Sequence, residues 1–132
     1  MGDYSPHFSH YELECHCGCH AIKMDDEFMD LFEALRLLYG KSISPSSAYR
    51  CAVHNNNISK TGIRGPHTQG KAVDIPCSGP DAGVIIRLAV VVGFSGIGIN
   101  QSGDRDKRMI HLDTVKRLDE STPNQLIVWS YM

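Results

Sequence analysis

A chain of 132 residues, 42% hydrophobic and 21% charged, has the composition of one soluble globular domain, large enough to bury roughly two-thirds of its unfolded surface. The formal charge of -2 and a pI near 6.4 argue against nucleic acid and against an anionic membrane as partners, because phosphate binding requires a cationic face. No run reaches the ~18 apolar residues of a membrane span, since the longest, Val84 to Val92, is broken by Arg87. Residues 1–10 lack the basic-then-apolar order of a secretory leader, which sets the expectation of a chain made and folded in a cytosol.

Residues 1–20 read as a Cys/His-rich, loop-like segment ending in Cys15-His16-Cys17-Gly18-Cys19-His20. A helix is expected from about Asp25 to Tyr39, with Asp25 as N-cap and Gly40 as its stop. Phe28, Leu31, Phe32, Leu35 and Leu38 follow helical spacing and mark its core face. Ser42 to Ala48 looks extended, held to an edge or bend by Pro45. Cys51 to Lys60 reads as a short helix and Thr61 to Gln69 as a loop with two glycines and a proline.

Gly70 to Pro76 reads as a strand, with Val73 and Ile75 on one face and Ala72 and Asp74 on the other. Pro80 opens a second helix, about Asp81 to Val92, which Gly93 ends. Strands are expected over Phe94–Ile99, Met109–Val115 and about Gln125–Tyr131. The basic run Arg105, Lys107, Arg108, interrupted by Asp104 and Asp106, reads as a solvated loop. Two main helices beside several short strands make an α+β domain, residues 1–132, with a small, mainly antiparallel sheet.

Three residues stand out chemically. His67 precedes the strand that carries Asp74, and His111 lies on a separate strand with Asp113 on its own face. Two histidines and a carboxylate are a catalytic zinc set, because three protein ligands leave one position for water. Taken alone, each histidine is more often a surface or hydrogen-bonded core residue than a ligand.

The segment His67-Thr68-Gln69-Gly70-Lys71-Ala72-Val73-Asp74-Ile75 resembles the metal motif of the zinc D-Ala-D-Ala carboxypeptidases. That superfamily also holds phage L-alanyl-D-glutamate endopeptidases and the Hedgehog signalling domain. Ile110-His111-Leu112-Asp113 resembles its second motif. Ser47-Ala48-Tyr49-Arg50-Cys51 with His54-Asn55, Gly93 to Ile99, and Cys15 to Cys19 are similar to further segments, in the expected order over residues 8–115. The resemblance implies a Hedgehog-like zinc fold, Zn2+ as cofactor and His67, Asp74 and His111 as its ligands. It also implies that Arg50 binds a substrate carboxylate or a developing oxyanion, the alternative being a structural salt bridge.

Two positions depart from the family pattern. Gly65 stands where a serine is usual. Arg108 stands where many members carry the acidic general base, and a guanidinium with a pKa above ~12 accepts no proton. Asp113 is then the first candidate for base, or else an orienter of His111, and Asp106 in the preceding loop is the second. In such a site the pKa of the zinc-bound water falls to about 7, and a nearby carboxylate takes its proton and returns it to the leaving amine.

Five cysteines cannot all pair within the chain. Cys15, Cys17 and Cys19 leave three readings open: a structural metal site, a disulfide with Cys51, or free thiols, with Cys77 apart. His7, His10, His16 and His20 read as exposed loop residues, and His54 as structural or lining the site. The expected function is a phage endolysin-type peptidase acting on the peptidoglycan stem peptide. It would be a monomer that accumulates in the host bacterial cytoplasm and reaches the cell wall after release. The alternatives are a D,D-carboxypeptidase trimming terminal D-Ala and a non-catalytic, zinc-stabilised wall-binding module.

Overall fold

Two helices laid on a four-stranded sheet carry the fold in a computed structural model that describes residues 2–58, 65–116 and 126–131. The elements in chain order are α1 (His10–Leu13), α2 (Asp26–Tyr39), α3 (Ala52–Ile58), β1 (Ala72–Pro76), α4 (Gly79–Val92), β2 (Gly96–Asn100), a 3-10 turn (Arg105–Lys107), β3 (Met109–Asp113) and β4 (Ile127–Ser130). The strand order is β1-β3-β2-β4; β3 pairs antiparallel with both β1 and β2, and β4 pairs parallel with β2. The architecture is the expected α+β one, with a mainly antiparallel sheet. No helix among the described residues is long and apolar enough to cross a membrane.

Local signals place the two long helices. The Asp25 carboxylate accepts from the Phe28 N–H at 3.0 Å, so α2 starts with one of its free donors satisfied. Pro80 sits in the first turn of α4, where a missing N–H costs nothing, and Gly93 ends the helix. Phe28, Phe32 and Leu35 of α2 and Ala82, Ile85 and Ala89 of α4 bury against Val73, Ile75, Ile97, Ile110 and Leu112 of the sheet. Phe8 stacks on Phe32 with ring centroids 4.1 Å apart, which closes the N-terminal segment over α2.

Because side chains alternate along a strand, the opposite face of the sheet is set by register alone. Asp74 pairs with His111, His111 with Gly98, and Gly98 with Trp129, so one row crosses all four strands. Gly98 is the gap in that row. A Cβ there would stand 2.8 Å from the Trp129 ring and 2.8 Å from the Tyr131 ring. Its absence lets the indole lie across the sheet with its centroid 5.4 Å from that of His111.

Two expectations need correcting. The first twenty residues are not all loop: the Ser9 hydroxyl accepts from the Glu12 N–H while the Glu12 carboxylate takes the Ser9 N–H at 2.9 Å, and this capping box forms α1. His7 is half-buried rather than exposed, because its Nδ1 lies 2.6 Å from the Glu33 carboxylate on α2. Residues 42–48 meet the sheet edge at one point, where Ser47 bridges to Asp74 through the pair Asp74 N–H to Ser47 O at 2.8 Å and Ser46 N–H to Asp74 O at 2.9 Å. The short helix is Ala52–Ile58, and the end of the expected segment, with residues 61–64 of the loop and Gln125, lies outside the described residues.

Candidate metal centre

His67 enters the site from a turn that the chain braces on both sides. The Gly65 N–H donates to the Thr68 hydroxyl at 2.8 Å and the hydroxyl returns a bond to the Gly65 carbonyl at 2.8 Å. Gly70 ends the turn at a φ of +69°, and a Cβ there would fall 2.0 Å from the Lys23 carbonyl oxygen. Only glycine allows that approach, and the Gly70 carbonyl accepts from the Asp25 N–H at 2.9 Å, tying the turn to the start of α2.

Nδ1 of His67 lies 2.6 Å from the Ala48 carbonyl oxygen. A carbonyl can only accept, so Nδ1 carries the proton and Nε2 keeps a lone pair, directed toward Asp74 Oδ1 at 3.5 Å. On β3, Nε2 of His111 lies 2.7 Å from Asp113 Oδ2, and Nδ1 lies 2.9 Å from Asp74 Oδ1. The Asp113 contact holds the proton on Nε2 and turns Nδ1 toward the same point. The donor atoms of His67, Asp74 and His111 all lie within 4.8 Å of one another. All three residues are buried, and Asp113 is 0% exposed.

Arg50 completes the frame. Its Nε donates to the Ser47 hydroxyl at 3.0 Å, one terminal nitrogen donates to Asn55 Oδ1 at 3.1 Å and the other to Asp74 Oδ2 at 3.2 Å. Asp74 thereby shares its two oxygens between the guanidinium and the histidine side. Burial opposes ionisation of Asp74, but the His111 and His67 rings beside it outweigh burial and hold the carboxyl well below the usual carboxylate range. Burial likewise opposes charge on His111, yet the bonds to Asp113 and Asp74 win and raise its pKa. The ring sits between two carboxylates, so its Nδ1 side faces either a proton or a cation. Two imidazole nitrogens and one carboxylate oxygen, each fixed by its own partner, are a donor set that fits zinc.

The structure brings together His67, Asp74 and His111, with Asp113 behind His111 and Arg50 behind Asp74. It does not bring in Asp106. That residue is exposed on the 3-10 turn and makes no hydrogen bond or ion pair to the three among the described residues. The Arg108 guanidinium folds back onto the Gly103 carbonyl at 2.9 Å. The sequence reading missed Trp129 and Tyr131. Tyr131 is pushed up in pKa, mainly by burial, and feels the charges of Asp74, Asp113 and Arg50. Alternation in the last strand puts both aromatics on one face; what it does not reveal is that β4 lies beside β2.

The chain matches the model of the peptidase M15 family over residues 6–113 and belongs to that family, within the zinc D-Ala-D-Ala carboxypeptidase superfamily. No curated protein matches it. Membership supports a metallopeptidase, and the buried His67, Asp74 and His111 are a group that could hold a metal ion.

Proposed function

We propose that the chain is a zinc-dependent peptidase that hydrolyses an amide bond of the peptidoglycan stem peptide, in the manner of a phage endolysin. The observation that carries this reading is the convergence of His67, Asp74 and His111 within 4.8 Å, each ring already held in the tautomer that leaves one nitrogen facing inward. The three would hold Zn2+, which when bound supplies a Lewis acid and a water of lowered pKa.

The remaining steps belong to the chain's own groups. Ala48 and Asp113 fix the rings, so no reorientation is needed when a substrate arrives. Asp113 has one oxygen on His111 and the other on the Val115 N–H at 3.1 Å, and burial removes it from substrate; it serves as a positioning residue. Arg50 holds Asp74 and sets positive charge beside the carboxylate. Tyr131, whose pKa burial pushes up, keeps its proton at neutral pH beside these groups. In this reading the protein accumulates in the host bacterial cytoplasm and acts on the wall after release.

Digestion of purified cell wall by wild type and by His67→Ala, with and without chelator, tests the proposal. Activity lost on chelation, restored by zinc and absent in the variant supports it. Product masses separate cleavage between L-Ala and D-Glu from release of a terminal D-Ala, the D,D-carboxypeptidase alternative. A second reading, a wall-binding module without catalysis, is favoured by Arg108 standing where the family's acid is usual. Retained wall binding with no new products in any digest would select it.

A further inference from the structure

Cys15, Cys17, Cys19 and Cys51 converge although Cys51 is 36 residues from Cys15 in sequence. Their sulfur atoms all lie within 4.8 Å of one another. The Cys15–Cys17 separation is 3.5 Å and the Cys17–Cys51 separation 3.7 Å. Zinc bound by four thiolates at ~2.3 Å places its sulfurs about 3.8 Å apart along each tetrahedron edge. All five cysteines are free thiols, and Cys77 lies outside the cluster.

The backbone is shaped around the same point. The Cys51 N–H donates to Cys15 Sγ at 3.4 Å, the His54 N–H to Cys51 Sγ at 3.4 Å and the Ala21 N–H to Cys19 Sγ at 3.5 Å. Three sulfurs thus accept from main-chain donors, the kind of surrounding contact that orients metal ligands. Gly18 at φ +101° and His20 at φ +58° curl the segment so that Cys17 and Cys19 both turn inward; His20 is the one non-glycine residue with positive φ among the described residues. Its Nδ1 is pinned at 2.7 Å by the buried carboxylate of Glu14.

We propose that Cys15, Cys17, Cys19 and Cys51 bind a second zinc ion in a closed structural site that clamps the N-terminal segment to the chain entering α3. The clamp works on the other centre through the backbone. Cys51 follows Arg50 directly, the Tyr49 N–H donates to the Leu13 carbonyl at 3.0 Å, and the Arg50 N–H donates to the His67 carbonyl at 3.2 Å. An ion at the four sulfurs therefore fixes the stretch from which Arg50 reaches Asp74. The four sulfur ligands are separate from the peptidase centre, and only the count of two equivalents rests on that reading as well, so loss of one equivalent in Cys19→Ser reads this site alone.

The test is zinc stoichiometry of the full chain, purified reduced and without chelator, by elemental analysis. The expected contents are about two equivalents for wild type and about one for each of Cys19→Ser and His67→Ala. A wild-type content of one that Cys19→Ser leaves unchanged overturns the proposal. Reconstitution of the wild-type chain with cobalt needs no variant to fold. Thiolate-to-metal charge-transfer absorption supports the site, whereas a spectrum of nitrogen and oxygen ligation alone overturns it. A Cys17–Cys51 disulfide in peptides mapped from freshly isolated protein would also overturn it.

Discussion

Asp113 Oδ2 lies 2.7 Å from Nε2 of His111, and this contact decides which nitrogen of the ring faces Asp74. Loss of the carboxylate charge in Asp113→Asn is expected to weaken metal affinity at this centre by ~10–100-fold while leaving turnover nearly normal once zinc is saturating. Zinc titration followed by activity makes the comparison. Turnover that stays lost with the metal bound would make Asp113 the general base instead.

Arg50 spends its planar fork on three acceptors, Ser47, Asn55 and Asp74. A lysine keeps the charge but cannot serve all three, so Arg50→Lys is expected to cost about 1–3 kcal/mol of stability through the acceptors left unsatisfied. Denaturant unfolding measures this loss. A stability equal to wild type would mean that water replaces the fork without penalty.

Gly98→Ala inserts a methyl group 2.8 Å from both the Trp129 and Tyr131 rings. Both rings must shift off the sheet, at a cost of about 1–3 kcal/mol. Activity should fall with stability, because Trp129 and Tyr131 border His111 and Asp74. Unchanged unfolding midpoint and unchanged activity would show that the row across the strands has slack.

Glu33 receives the Ser5 hydroxyl at 2.6 Å and the His7 backbone N–H at 2.8 Å, besides the His7 ring. Burial raises its pKa, but these bonds outweigh burial and bring it below the ordinary 4.5. A lowered carboxyl pKa contributes stability that is fully present above 4.5 and is lost as pH falls through the folded-state value. Glu33→Gln is therefore expected to lose stability at neutral pH and to show a shallower decline on acidification. Parallel pH-stability curves for the two proteins would remove Glu33 from this role.

What could be read from the residues was what is local. Asp25 and Gly40, Pro80 and Gly93 bracket the two long helices, and alternation through Ala72–Ile75 sorts β1 into a core face and a site face. The trio His67, Asp74 and His111 was legible because two short motifs carry it. The helical turn α1 was too brief for periodicity, though Ser9 and Glu12 already spelled its capping box. Sequence neighbourhood misled for Asp106, because the bend at Arg105–Lys107 leaves its carboxylate at the surface. The parallel docking of β4 on β2 and the meeting of Cys51 with Cys15 depend on chain closure over long separations, which no local pattern encodes.

Trp129 is the sole tryptophan of the chain, and its ring stands 5.4 Å from that of His111. Intrinsic emission excited at the indole therefore has a single origin, next to a prospective ligand. Cobalt or copper loading at His111 should quench that light, giving the metal centre a built-in optical gauge that needs no dye and no substrate.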